Sequence, residues 1–361
     1  MKKIAIVGTN GLPGRYGGWD QLLEHLTLSL NKNYEIVVYT SSFNAVKGLK
    51  EYNGARLKII PLKANGFQSV LYDGISMFHA AIKYDVMLVL GTSGCIFLPL
   101  IKLFRKKVIL NPDGAEWKRG KWNFFVKWFL KKSEDIGIRF ANYIIADNKI
   151  IFDYIQNEYG IKTELIAYGG DNAVNVPIKN ETLKKYGIVN KQYAFKVCRI
   201  EPENNIDLIL EAFKLLEIKL ILIGNWNFSS YGSNLKMKYS GFKNLILLDP
   251  IYHQQTLDEL RSNCGIYIHG HSVGGTNPSL VEAMNLGLCC VVYDVNYNRE
   301  TTENKALYFK NSEELCSIVL QFINSKIDVS LISKDLLAIA KKRYTWDLIV
   351  NQYTQVINKC I

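Results

Sequence analysis

The stretch His269-Gly-His271-Ser-Val-Gly274-Gly275-Thr276-Asn277-Pro278-Ser279-Leu-Val-Glu282 sets two adjacent glycines, a hydroxyl and an amide in front of an apolar helical run. Proline favours the first helical position, so Gly274 to Asn277 should present backbone N–H groups to an anion at a helix N-terminus. Glu282 then lies one turn inside the helix, where its carboxylate can accept both hydroxyls of a ribose; the plainer alternative is that it only complements the helix dipole. His269 and His271, two apart on a strand, face one side and invite a metal reading. No third ligand stands at a suitable spacing. No metal or other cofactor is expected, and His271 reads as a hydrogen-bonding residue of the cleft.

Three further segments end strands in the same way. Arg199-Ile-Glu201-Pro-Glu203-Asn204-Asn205 places a guanidinium where ligands of open α/β sheets bind, suited to clamping a diphosphate; a surface ion pair with Glu201 or Glu203 is the alternative. The loop Gly8 to Asp20, with Gly11, Gly14, Arg15, Gly17 and Gly18, precedes a helical pattern from Gln21 to Leu30 and can bring backbone close to a phosphate or sugar. Its spacing is not GxGxxG, and a plain tight turn remains an alternative. In Asn111-Pro-Asp113-Gly-Ala-Glu116, Asp113 or Glu116 could orient an acceptor hydroxyl or support charge at a reacting sugar, or Asp113 could simply cap the next helix.

These loops need strands to hold them. Apolar runs at Lys3–Val7, Glu35–Tyr39, Leu57–Pro61, Val86–Leu90, Lys107–Leu110 and Tyr143–Ala146 alternate with helical spacing, and the pattern restarts at Tyr193–Cys198, Lys219–Ile223, Leu245–Leu248, Gly265–His269 and Cys289–Tyr293. That alternation predicts two doubly wound parallel sheets in an α/β protein. The glycine-bearing connection Tyr168 to Pro177 places the boundary near residue 172, giving domains at 1–172 and 173–343. Residues 344–361 form one amphipathic helix, with Trp346, Ile349, Val350, Tyr353 and Ile357 on its apolar side.

With 361 residues and 48% hydrophobic composition, two cores can be buried. The seven cysteines show neither a disulfide framework nor zinc spacing and read as reduced core residues. Neither the first apolar run nor Val86–Leu103 is continuous enough for a signal core or a membrane span. The net charge of +11 is concentrated: positions 102–132 hold ten Lys or Arg against Asp113 and Glu116. Lys118, Arg119, Lys121, Trp122 and Trp128 there mix cations with aromatics, as in segments that lie in an anionic lipid interface. A helix with a solvated basic face is the alternative, and nucleic acid is not expected because no binding motif accompanies the charge.

Taken in order, GLPGRYGGWDQLLEHL, NPDGAEWKRGKW, IIADN, RIEPENNIDLILEAF, HGHSVGGTNPSLVEAM and DVNYNRE resemble glycosyltransferase family 4, specifically its rhamnosyltransferase-like subgroup from bacterial polysaccharide assembly, nearly end to end. The resemblance implies the GT-B architecture: two facing Rossmann-like domains, acceptor on the first, nucleotide sugar on the second, and the last helix crossing back. It implies that Arg199 contacts the donor diphosphate and Glu282 the ribose, with Gly17 and Gly18 approaching the phosphates and Asn204, His271, Gly274, Gly275, Thr276 and Asn277 completing the donor site. It also implies metal-independent transfer with retention from dTDP-L-rhamnose to an undecaprenyl-diphosphate-linked saccharide, on the inner face of the cytoplasmic membrane. Most family members have a lysine where this chain has Asn204 and a glutamate where it has Gly274, which leaves the usual leaving-group stabilisation incomplete. A UDP-hexose transferase and a non-catalytic sugar-nucleotide-binding protein are the alternatives.

Overall fold

Each apolar run becomes a strand, the central ones covered on both faces. The computed structural model describes residues 1–14, 17–120 and 122–361. Arg15 and Lys121, expected at the acceptor or membrane side, lie outside the described residues. One unit comprises Met1–Tyr168 with Trp346–Ile361, the other Gly169–Thr345, so the first unit ends four residues before position 172.

The first unit contains β1 (Lys2–Val7), β2 (Tyr34–Ser41), β3 (Glu51–Tyr52), β4 (Ala55–Ile60), β5 (Val86–Leu90), β6 (Lys107–Asn111), β7 (Tyr143–Ala146) and β8 (Thr163–Leu165). They form one sheet in the order β3-β4-β2-β1-β5-β6-β7-β8, parallel except for the β3–β4 hairpin. Ile4 sits opposite Ile36 on one side and Val86 on the other, and all five residues of β5 are buried, as expected of a central parallel strand. The second unit contains β9 (Tyr193–Val197), β10 (Lys219–Ile223), β11 (Leu245–Leu248), β12 (Ile266–His269), β13 (Cys289–Tyr293) and β14 (Leu307–Phe309), ordered β11-β10-β9-β12-β13-β14 and wholly parallel. Helices packed on this sheet bury Ile206, Ile209, Phe213, Leu235 and Val319 against it.

β3, β8 and β14 escape the sequence pattern because each is an outer strand of two or three residues, too short to show a period. The terminal helix runs Trp346–Cys360 and belongs to the first unit. Tyr344, expected as its first residue, instead ends the preceding helix Val329–Arg343: its N–H donates to the Ala340 carbonyl and its hydroxyl to the Thr301 carbonyl, 3.0 Å away. The terminal helix is held by stacking of Trp346 on His25 at 4.0 Å between centroids and by the Asn111 amide donating to the Tyr353 hydroxyl at 3.1 Å.

Both sheets reverse direction at one place. From β1 the chain builds outward through β2 and β4, then returns to lay β5 on the other side of β1; β9 likewise lies between β10 and β12. The carboxyl ends of β1 and β5, and of β9 and β12, are therefore the two topological switch points, where open α/β sheets bind ligands.

Candidate functional site

The switch point of the second unit gathers most of the residues singled out for donor chemistry. Arg199 and Asn204 follow β9, and His271 to Asn277 follow β12. Hydrogen bonds join the two loops: the Asn205 amide donates to the Gly270 carbonyl at 2.8 Å, and the Ser272 N–H and hydroxyl both donate to the Glu203 carbonyl, at 2.9 and 3.0 Å. Asn298, to which the sequence assigned no role, fixes the far side by donating to the His271 and Tyr293 carbonyls at 2.9 and 2.8 Å.

Arg199 is about one-third exposed, with Nη1 3.4 Å from Glu201 Oε2, so the ion pair considered as an alternative does form. A guanidinium has five donors, and the Glu201 contact engages only one of its terminal nitrogens. Asn204 is buried and its amide donates to the Arg199 carbonyl at 2.9 Å, steadying the backbone that carries the arginine. Gly274 has φ +112°, a conformation that L side chains rarely adopt, which commits the position to glycine.

Asn277 is the N-cap of the helix Pro278–Asn285. Its Oδ1 accepts from the Ser279 N–H at 3.1 Å and from the Ser279 hydroxyl at 2.8 Å, so this side chain serves the helix end. Gly275 and the buried Thr276 lead into that cap.

Glu282 is 4% exposed and held from behind. Its Oε2 pairs with Nη1 of Arg261, its Oε1 accepts from the Asn172 amide at 2.8 Å, and Arg261 Nη2 reaches Asp258 Oδ1 at 2.7 Å. Burial alone would lower the Arg261 pKa, but the carboxylates of Glu282 and Asp258 outweigh it and hold the guanidinium protonated. Asp258 is further satisfied by Gln254 at 3.0 Å and the Val174 N–H at 3.3 Å. The dipole-only alternative does not account for this buried support. Arg261 escaped the sequence reading because it sits in the last turn of the helix Gln254–Ser262, where a basic residue reads as a complement to the helix dipole.

His269 and His271 stand with ring centroids 6.3 Å apart. Burial, then the Lys196 and His271 charges, push the His269 pKa well down and keep it neutral. Among the described residues no group of three or more His, Cys, Asp or Glu is placed to hold a metal ion.

In the first unit, Gly17 has φ +99° and ψ 171° and precedes the helix Gly18–Leu30, whose first turn receives no side-chain cap. A Cβ there would meet nothing within 4 Å, so the glycine serves conformation and open access. Asp113, at φ +63°, caps no helix; the helix Phe124–Phe140 is capped by Asn123. Asp113 instead faces Arg119 at 3.8 Å, and Glu116 joins Arg119 Nε at 2.6 Å to the Trp122 indole N–H at 3.1 Å. Of the residues expected at the acceptor or membrane side, Arg119 is 7% exposed, its charge met inside the loop, and Trp122 is half-buried with its indole N–H on Glu116. Lys118 and Trp128 remain exposed.

Residues 178–333 match the family described as Glycosyl transferases group 1, and residues 1–171 match a domain of unknown function, DUF1972. No curated protein is similar to the chain in sequence. Among solved structures, Anabaena Alr3699/HepE in complex with UDP-glucose superposes with a TM-score of 0.80 at 16% identity, covering 99% of this chain and 100% of that one. Sucrose-phosphate synthase from Thermosynechococcus elongatus superposes with a TM-score of 0.79 at 14% identity, covering 99% of each chain. The architecture is thus GT-B, built from two Rossmann-like α/β domains.

Proposed function

We propose that this chain, whose residues 178–333 carry a group 1 glycosyl transferase domain, moves a sugar from a nucleotide diphosphate donor to a lipid-linked saccharide in cell-surface polysaccharide synthesis. The observation that carries the reading is the second unit's switch point, where Arg199 and the helix bearing Glu282 follow neighbouring strands. Glu282 would take the ribose hydroxyls. Arg199 and the backbone N–H groups of Gly274–Asn277 would stabilise the departing diphosphate, the negative charge that grows as the glycosidic bond breaks. With Asn204 supporting the loop and glycine at 274, that stabilisation falls on Arg199 and backbone dipoles, without a metal. Gly17 and Gly18 would serve the phosphates, and Asp113 or Glu116 the acceptor.

The donor proposed from the family resemblance is dTDP-L-rhamnose, and the acceptor an undecaprenyl-diphosphate-linked sugar at the inner face of the cytoplasmic membrane. The attachment proposed there is peripheral; among the described residues no helix is long and apolar enough to cross a membrane. A UDP-hexose donor is the second reading, favoured by the structural likeness to HepE, which was solved with UDP and with UDP-glucose. Release of nucleotide diphosphate across a panel of dTDP- and UDP-sugars tests both; no release from any donor, with or without a lipid-linked acceptor, would overturn the transferase reading.

A further inference from the structure

The helix Gln68–Lys83 of the first unit buries Tyr72, Ser76, Met77 and Ala80 against its own sheet, so its outer face should be polar. It is not. Phe67 just before it is 89% exposed, and Leu71, Ile75 and Ile82 continue one outward stripe at spacings of four, four and seven. The helix's only acidic residue, Asp73, is buried, and its only lysine is at its last position. The next helical segment, Cys95–Phe104, adds exposed Leu100, Leu103 and Phe104, and the helix Phe124–Phe140 adds exposed Phe124, Phe125 and Trp128.

These three segments form one layer. Gly74 lets the Phe97 ring in so closely that a Cβ would lie 2.6 Å from it, Phe78 meets Phe97 edge-on at 6.0 Å, and the Ile96 N–H donates to Ser133 Oγ at 3.1 Å. The exposed apolar side chains thus stand on three neighbouring segments of one layer, a concentration that marks an interaction surface. Lys102 lies in the middle segment and Arg105 and Lys106 directly follow it, in the stretch 102–132 that holds ten basic residues, of which Arg119 is buried and Lys131 and Lys132 pair with Asp135.

We infer that this whole outer layer, and not the basic–aromatic segment alone, beds into an anionic lipid surface, with the Phe and Trp side chains below the headgroups and the lysines and arginines among them. The charge selects this occupant. A second copy of the chain would bring an identical cationic surface against the first, and like charges across such an interface disfavour pairing. Anionic headgroups satisfy both the apolar stripes and the cations. The inference rests on the reading of a membrane-borne acceptor and names the surface that would meet it.

The test is co-sedimentation of the full chain with vesicles of phosphatidylcholine alone and of phosphatidylcholine with phosphatidylglycerol, alongside thermal-shift binding of dTDP and UDP. The chain should partition to the anionic vesicles. Ile75→Glu/Ile82→Glu should weaken partitioning on the order of tenfold or more, with nucleotide binding and melting temperature retained. Should that pair fail to fold, Phe67→Asp/Phe125→Asp provides the same test at two side chains that are almost wholly exposed. Unchanged partitioning in a folded variant overturns the inference, as does absence of partitioning to any vesicle. A dimer in solution that Ile75→Glu/Ile82→Glu splits into monomers would assign the surface to a second copy. Loss of nucleotide binding in the parent chain, with vesicle binding intact, would count against the transferase reading alone.

Discussion

Arg261 is fully buried between Asp258 and Glu282, and replacing it isolates two carboxylates in a site from which water is excluded. Arg261→Met keeps most of the volume and removes the charge. Breaking a buried pair in this way costs about 3–5 kcal/mol. For a unit the size of Gly169–Thr345 each kcal/mol is worth roughly 2–4 °C, so its melting transition should fall by roughly 6–20 °C. Nucleotide affinity should fall roughly 10- to 100-fold, because Glu282 loses a charged hydrogen bond that fixes its rotamer. Arg261→Lys should fare only partly better, since one ammonium cannot reproduce the fork that reaches both carboxylates. The assays are differential scanning fluorimetry and titration calorimetry with dTDP and UDP, and Glu282→Gln completes a double-mutant cycle in which the two losses should not add. An Arg261→Met protein within about 1 kcal/mol of the parent in stability, with unaltered affinity, would refute the reasoning.

Arg199→Ala should abolish sugar transfer while circular dichroism and melting temperature stay near the parent, since the side chain is partly exposed and its ion pair with Glu201 is long; retained turnover would remove it from the mechanism. Gly170→Ala would place a Cβ 2.5 Å from the Val281 carbonyl and 2.7 Å from the Glu282 nitrogen, displacing the helix that carries Glu282; a loss of about 1–3 kcal/mol is expected, read by thermal melts, together with weaker nucleotide binding. Burial raises the Asp73 pKa from 3.8 to about 7, against hydrogen bonds from Ser93 and the Gly94 N–H that lower it. The folded chain therefore keeps a proton that the unfolded chain has released, and stability should decline as pH rises from roughly 4 to 7 and level off above. Asp73→Asn should flatten that decline and gain up to about 4 kcal/mol at pH 8, checked by denaturant melts across pH. Treatment with EDTA should leave donor turnover unchanged; a loss restored by a divalent cation would refute metal independence.

The Val- and Ile-rich runs were legible as strands because a buried parallel strand must be apolar throughout, and Pro278 after Gly274–Asn277 announced the helix end because both residue types restrict backbone geometry. What composition could not reveal was which polar side chains fold inward. Arg119 and Trp122 look in sequence like neighbours of Lys118 on a wet or lipid-facing surface, yet two left-handed residues, Asp113 and Ala115, turn their loop so that Glu116 gathers them. Arg261 and Asn172 meet Glu282 only after strands distant in sequence have paired. The outer stripe of Gln68–Lys83 stayed hidden for the opposite reason: its apolar residues Leu71, Ile75 and Ile82 read as the buried face until Tyr72, Ser76 and Met77 are seen to fill that place.

The first unit is split, its sheet finished by β8 but its final helix, Trp346–Cys360, supplied only after the whole of Gly169–Thr345 has been made. On the ribosome the later unit has all its residues before the earlier one does. Until the last turns emerge, His25 lacks its stacking partner and Asn111 lacks the Tyr353 hydroxyl, so the nascent N-terminal half must wait, incomplete, for its closing piece. Deleting the last sixteen residues would thus harm the half of the protein that was translated first.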